Sequence, residues 1–411
     1  MIKVGLLGLG TVGSGVYEIL KNKSEGISNV TGREIEITKI LDRDTSKIKE
    51  FGLGEGVLTD NADDILDDPD IDIVVEVLGG IDTPLDFIKR ALKNGKHVVT
   101  ANKAVISPYF EELNKIADDN KVGLLYEASV AGGVPIIREL KSVLAINDVS
   151  YIKGILNGTT NFIMSKMYDE NLTFKEALDL AHKYGYAEAD PTDDIEGFDA
   201  ARKISILASI AFKTHVSFKD VICRGITSVT AKDIKNFKEM HLAPKLIGSA
   251  AIIGDECSAS VEPILVDSDS PFASVKDAFN SVSITGDIVG ELQFYGSGAG
   301  KNPTANAVVT DVIDIALVNY KEYTFTNDES IKITGSKLFN GRYYLRIAEK
   351  VAKAKDEILN VVDSYDFKYT VTHDEDDLTI YTETINSEVM ESLINKLNLP
   401  EDSFCYLRVD C

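Results

Sequence analysis

Over roughly the first 130 residues the chain alternates short, almost unbroken apolar runs with longer stretches in which apolar residues recur every three or four positions. "IKVGLLG" reads as a strand and "VGSGVYEILKN" as the helix after it, followed by a polar loop through residue 34. "EIEITKILD", "IDIVVEVLG", "HVVTA" and "VGLLYEASV" supply four more strands. "TPLDFIKRALKNG" and "SPYFEELNKIADDN" carry helical periodicity, with Pro84 and Pro108 at first-turn positions where a missing N–H is tolerated. Strands that are apolar on both faces and separated by helices predict a doubly wound parallel sheet of the α/β class.

The pattern changes near residue 136. "VPIIRELKSVL" is helical, "VSYIKGILNG" and "ITGDIVGELQFYG" read as strands, and helices are predicted near 172–184 and 197–212. This is an α+β arrangement over about 136–300, a second domain after one spanning 1–135. "AGKNPTANAVVTDVIDIAL" then predicts a helix over about 301–322 that returns to complete the first domain. From 340 to 411 the order is strand "RYYLRIAE", helix "AKDEILNVVDSY", hairpin "KYTVTHDEDDLTIYTET", helix "SEVMESLINKL" and strand "CYLRVD". That βαββαβ order is ferredoxin-like.

Composition narrows the class of partner. A chain of 411 residues is too long for one core, and 44% hydrophobic with 27% charged residues is ordinary enough that extended disorder is not expected. A net charge of −23 opposes nucleic acid and anionic membranes, because neutralising phosphates would be repulsive. The cysteines, Cys223, Cys257, Cys405 and Cys411, form no CxxC pair and no zinc spacing, as reduced thiols of a cytoplasmic protein would. "MIKVGLLGLG" lacks a charged leader and a cleavage site, and no apolar run is long enough to span a bilayer.

Chemistry enters at "GLGTVG", which places Gly8, Gly10 and Gly13 in GxGxxG spacing around Thr11 and Val12, after a strand and opening a helix. The first glycine permits the turn, and the second lets a pyrophosphate approach the helix N-terminus, where free N–H groups favour negative charge. That context predicts a dinucleotide-binding Rossmann domain. At the end of the second strand Asp42 suits the ribose diol of NAD, whereas Arg43 suits the 2′-phosphate of NADP, so both coenzymes stay open. "VVTANKAVIS" sets Thr100, Asn102 and Lys103 just past the C-terminal end of the fourth predicted strand, the edge where such sheets bind ligands. Lys103 there either meets a ligand or is a solvated loop residue. Glu127 enters a Gly-Gly turn in "YEASVAGGVP", which is either a plain turn or a nest of oxygens for a hard cation. "NGTTNFI" is a helix start that can also present hydroxyls and amides.

In "DIEGFDAARKISILASIAF", Asp199 and Lys203 lie i, i+4 on a helix, with Ile206, Leu207 and Ile210 continuing the same face. A surface ion pair would be worth only about 0.3–0.5 kcal/mol. The apolar continuation instead points Lys203 inward, where burial lowers an ammonium pKa and a carboxylate holds it up, as acid–base chemistry requires.

With these residues assembled, the chain resembles the homoserine dehydrogenase family over roughly residues 1–322. The family's signature is matched by Ala181, Gly185, Tyr186, Asp190, Pro191, an acid taken as Asp193 in the pair Asp193–Asp194, then Gly197, Asp199 and Lys203. "TANK", "EASVAGG", "NGTTN" and "GAGKNPTA" follow the family's blocks in order. The resemblance implies reversible reduction of L-aspartate 4-semialdehyde to L-homoserine with NADP or NAD, a step toward threonine, methionine and isoleucine. It implies Lys203 as proton donor with Asp199 and Lys103 beside it, Glu188, Asp193, Thr159 and Thr160 as substrate contacts, and Gly300 at the coenzyme. It implies a structural monovalent cation, usually sodium, on Glu127 and the backbone of Val130, Gly132 and Val134, and a homodimer or larger homo-oligomer. The last region resembles a degenerate ACT domain. "EKVAKAKDEI" has neither the Pro nor the Gly of the usual effector turn, which weighs against threonine feedback and leaves a dimerisation role at least as plausible. Two rival readings are another Rossmann reductase of a small amino acid or aldehyde, and a silent dinucleotide-binding regulator. The retained set of Lys103, Glu188, Asp199 and Lys203 weighs against the second.

Overall fold

A computed structural model describes residues 1–322, 325–348, 355–373 and 377–410. The chain divides into two compact units: residues 1–149, 205–218 and 294–328 form the first, and 150–204, 219–293 and 329–411 the second.

The first unit is built on a six-stranded parallel sheet: β1 (Ile2–Leu7), β2 (Ile35–Leu41), β3 (Leu58–Thr59), β4 (Ile73–Glu76), β5 (His97–Thr100) and β6 (Leu124–Leu125). The spatial order is β3-β2-β1-β4-β5-β6, so the chain reverses direction of winding between β1 and β4. Val4, Leu6, Ile40, Ile73, Val75 and Val99 fill one core with Val308, Val312 and Ile315 of the helix Lys301–Ala316. That returning helix packs on Thr11–Asn22, where Lys301 also pairs with Glu18 at 2.8 Å.

Two details depart from the sequence pattern. β3 is only two residues long, too short for any periodicity to reveal. "VGLLYEASV", expected as a full strand, pairs only at Leu124–Leu125 before a 3₁₀ turn at Glu127–Ser129. The Glu127 carboxylate accepts the amides of Ile137 and Arg138 at the head of the helix Ile136–Val143, which draws the chain off the ladder.

The second unit carries most of a twelve-stranded mixed sheet, including the antiparallel hairpin Leu242–Ile253 and Glu256–Asp267, aligned residue for residue. Both strands are buried on both faces, so they lack the alternation that marks a half-exposed strand, and the sequence pattern missed them. "ITGDIVGELQFYG", expected as one strand, is two neighbours, Phe279–Gly286 and Gly290–Ser297, with Gly290 at a φ of +74° at the turn. Toward the C-terminus the strands Asn340–Ala348, Tyr369–His373, Asp377–Thr382 and Phe404–Val409 lie in the order fourth, first, third, second, with helices Lys355–Val362 and Ser387–Leu397. This is the ferredoxin-like arrangement. Its last strand continues into the neighbouring sheet by parallel pairing of Ile264 with Arg408 and Leu265 with Val409. The stretch read for an effector turn falls largely on 349–354, outside the described residues. Among the described residues no helix is long and apolar enough to cross a membrane.

Candidate functional site

In the first unit the glycine turn follows β1 at the point where the winding reverses. A Cβ on Gly13 would collide with the Gly8 carbonyl oxygen, so only glycine lets the helix start this close to the strand. Where a Cβ of Gly10 would stand, nothing lies within 4 Å. The helix Thr11–Asn22 opens there without a side-chain cap, and the amides of Thr11, Val12 and Gly13 have no intrahelical acceptor. Open space facing uncapped N–H groups is what a pyrophosphate requires.

Asp42 ends β2 and is already engaged. Its carboxylate accepts the Leu9 amide at 2.9 Å and the Lys47 ammonium at 2.6 Å, tying the glycine turn to the second strand. Burial opposes its charge, yet these bonds hold the carboxyl below its ordinary pKa. Arg43 beside it is exposed and makes no ion pair among the described residues.

Beyond β4 and β5 sits a buried group that sequence reasoning did not single out. Glu76 accepts the Thr100 hydroxyl at 2.5 Å and the Leu78 amide at 2.7 Å, and burial pushes its pKa up to about 7. Thr100 in turn accepts the Asn102 amide at 3.0 Å, and Asn102 donates to the Gly80 carbonyl at 3.0 Å. Thr100 is therefore fully buried and serves the joint between two loops. Lys103 follows at half-burial, as the first residue of the short helix Lys103–Ile106 capped by Asn102. Gly300, at a φ of +123°, caps the returning helix Lys301–Ala316.

The turn carrying Glu127 is dense in buried charge. The Asp311 carboxylate accepts the Glu127 amide at 2.9 Å. Burial raises both carboxyl pKa values, and the charge of Glu127 raises that of Asp311 further. Ala131 and Gly132 both have positive φ, 54° and 57°, and Val130 and Val134 are buried. Both Glu127 oxygens already accept backbone amides, and Arg138 and Lys141 act on both carboxyl groups, so cationic side chains of the protein supply part of the charge balance here.

In the second unit the acidic stretch resolves into distinct environments. Lys203 donates to Asp199 at 2.7 Å and to the Leu156 carbonyl at 2.7 Å, with side chains only 11% and 7% exposed, respectively, for lysine and aspartate. Asn157 is the hub. Its amide nitrogen donates to Asp199 at 2.9 Å and to Asp194 at 2.6 Å, while its oxygen accepts the Thr160 amide at 2.8 Å and caps the helix Gly158–Glu170. Burial raises the Asp194 pKa against the Asn157 bond that lowers it.

Two of the expected contacts lie apart from the Asp199–Lys203 pair or are already engaged. Asp193 lies outside the cluster, with a side chain 58% exposed and paired to Arg202 at 3.0 Å through its second oxygen. Successive residues on the helical turn Thr192–Ile195 point about 100° apart, so only one of the two acids can face Asn157, and it is Asp194. Thr160 is buried with its hydroxyl 2.9 Å from the Asn157 side-chain oxygen, which makes it part of the cap rather than a presented hydroxyl. Thr159 donates to the Tyr186 carbonyl at 2.7 Å, holding the loop that carries Glu188. Glu188 is exposed and makes no hydrogen bond or ion pair among the described residues. Asn157 had one legible signal, its place before Gly-Thr-Thr as a helix cap; its grip on two carboxylates is a tertiary fact.

A family profile described as "Homoserine dehydrogenase" matches residues 135–313, and one described as "Homoserine dehydrogenase, NAD binding domain" matches residues 8–127. The chain is 44% identical over 314 residues to the homoserine dehydrogenase of Bacillus subtilis (strain 168), covering 76% of this chain and 72% of that one. It is 46% identical over 318 residues to that of Synechocystis sp., covering 76% and 73%. Among solved structures it is similar to a homoserine dehydrogenase from Thiobacillus denitrificans, with a TM-score of 0.90, 35% identity and coverage of 100% and 98%. A hyperthermophilic archaeal homoserine dehydrogenase in complex with NADPH is similar at a TM-score of 0.67 and 29% identity, over 77% of this chain and 98% of that one.

Proposed function

The chain belongs to the homoserine dehydrogenase family of NAD(P)-dependent oxidoreductases, and on that premise we propose that Lys203 is the proton donor of its reaction. The nicotinamide coenzyme, when bound, supplies or accepts the hydride at the carbonyl carbon. Lys203 protonates the oxygen of aspartate 4-semialdehyde as homoserine forms, and in the reverse direction the neutral amine takes the hydroxyl proton. The ammonium also stabilises the developing alkoxide, a term that is often the larger contribution in a water-poor site. Asp199 and the Leu156 carbonyl orient the ammonium, and Asn157 keeps Asp199 in place.

Glu188 and Asp194 are the groups we assign to the substrate ammonium, Glu188 because no hydrogen bond or ion pair among the described residues occupies it and Asp194 because Asn157 aims it beside Asp199. Thr159 supports the Glu188 loop through Tyr186. Lys103, with Gly8, Gly10, Thr11, Val12, Gly13, Thr100 and Gly300, belongs to the coenzyme side of this reading. Glu127 and the backbone of Val130, Gly132 and Val134 would hold a monovalent cation, sodium by family habit, as a structural element. A homodimer, a cytoplasmic location and an ACT-like role for residues 340–411 complete the proposal.

The buried Lys203–Asp199 pair, anchored by Asn157 beside Asp194, is the observation that carries it. Purified protein should oxidise NADH or NADPH when given aspartate semialdehyde, and absence of turnover with both coenzymes would refute it. Comparing kcat/KM for the two coenzymes, with Arg43→Ala as control, decides preference: loss confined to NADPH assigns Arg43 to a 2′-phosphate.

A further inference from the structure

The segment that begins at Cys223 touches two parts of the second unit, which also meet directly where Gly197 faces Val261. On one side it presses on the helical turn that carries Asp193 and Asp194. The Ile226 amide donates to the Ile195 carbonyl at 2.9 Å, the Cys223 thiol to the Glu196 carbonyl at 3.2 Å, and the Thr227 hydroxyl to the Glu196 side chain at 3.3 Å. A Cβ on Gly225 would collide with the Ile195 carbonyl, so the two backbones are in direct contact.

On the other side the same segment is held by Arg224. Its amide donates to the Val261 carbonyl at 2.8 Å. Its guanidinium donates to the Tyr406 carbonyl at 2.8 Å, pairs with Glu262, and lies 3.7 Å from the centre of the Tyr406 ring. Arg408 takes the other oxygen of Glu262 at 3.1 Å, so one carboxylate is shared by two guanidiniums. Tyr406 and Arg408 belong to the strand Phe404–Val409, the last strand of the ferredoxin-like region. The planar fork of arginine is what allows one side chain to satisfy a carbonyl and a carboxylate while stacking on a ring; lysine cannot do all three.

We propose that Arg224 is a positioning residue for substrate binding, through which the C-terminal strand Phe404–Val409 braces the segment 223–227 against Ile195–Glu196 and so sets Asp194 relative to Asn157. This rests on the reading of Asp194 as a substrate contact. The C-terminal region then has a role that requires no effector: it is a buttress for the substrate end of the site.

The test is steady-state kinetics on the full chain with homoserine and coenzyme, alongside coenzyme binding and thermal melting. Arg224→Met should raise KM for homoserine about tenfold, the order of effect of losing charged hydrogen bonds, while kcat changes little. Coenzyme Kd should be unchanged, because the glycine turn lies in the other unit. Arg224→Lys, which keeps the charge but reaches one acceptor, should fall between wild type and Arg224→Met. An unchanged homoserine KM in folded Arg224→Met overturns the proposal, as does a parallel weakening of coenzyme binding and melting temperature. Should Arg224→Met fail to fold, Thr227→Val removes only the exposed bond to Glu196. It should raise KM two- to threefold, a small loss typical of one hydrogen bond, and an unchanged KM there overturns the proposal. Failure of the functional reading looks different: wild type itself would not turn over.

Discussion

Replacing Lys203 by methionine separates catalysis from stability. The side chain keeps an apolar stem as far as Cε and loses its ammonium. Asp199, 7% exposed, would retain the Asn157 bond at 2.9 Å and lose a 2.7 Å ion pair, and the Leu156 carbonyl would lose its donor. Breaking a buried pair on one side costs about 3–5 kcal/mol, because the remaining charge is uncompensated. Loss of a general acid costs about 10²–10⁴ in rate. Lys203→Met should therefore lower kcat by about a thousandfold in a coenzyme absorbance assay. It should also shift the urea midpoint by a loss of about 3 kcal/mol. Adding Asp199→Asn removes the stranded charge, so the double variant should recover at least half of the lost stability and none of the lost rate. Recovery of turnover in the double variant would show that Lys203 serves only to neutralise Asp199. Full stability of the single variant would show that the pair is wetter than its geometry states.

The two adjacent acids should behave oppositely. Asp194→Asn should reduce kcat/KM for homoserine at least tenfold, since it removes the part-buried negative charge that Asn157 holds beside Asp199, whereas the exposed Asp193→Asn should stay within about twofold; equal effects would reject the assignment. Glu76 gives a pH prediction. Its folded pKa, pushed up to about 7 from 4.5 by burial, means the folded protein holds a proton that the unfolded chain has released. The stability it contributes is present below pH 4.5 and is lost as pH rises through about 7. Glu76→Gln should flatten that slope in denaturation curves taken across the window, and an unaltered slope would place the titration elsewhere.

Sequence pattern and structure agree in some elements and part in others, for reasons visible in particular residues. The parallel sheet, the GxGxxG turn and the inward lysine were legible because each is local: period, spacing and the i, i+4 rule suffice. The hairpin Leu242–Ile253 and Glu256–Asp267 was not, since burial of both faces erases alternation. Spacing does not distinguish Asp193 from Asp194, because a helical turn separates neighbours in direction and only the position of Asn157 says which direction is inward. Glu76 ends an apolar strand with no local signal of its own, and only the fold sets the Thr100 hydroxyl against it.

What the sequence by itself determined is therefore the class of fold, the coenzyme turn, the Asp199–Lys203 pair and the family, all of which are written in short-range pattern. Tertiary structure alone decided which acid joins that pair, that Asn157 links the carboxylates, that Glu76 joins the ends of two parallel strands through Thr100, and that Arg224 meets the strand Phe404–Val409. The reason is physical. Helical and strand periodicity act between residues a few positions apart, whereas burial, charge pairing and hydrogen-bond partnership depend on groups brought together from 37 positions away, as Asn157 and Asp194 are, or 182, as Arg224 and Tyr406 are.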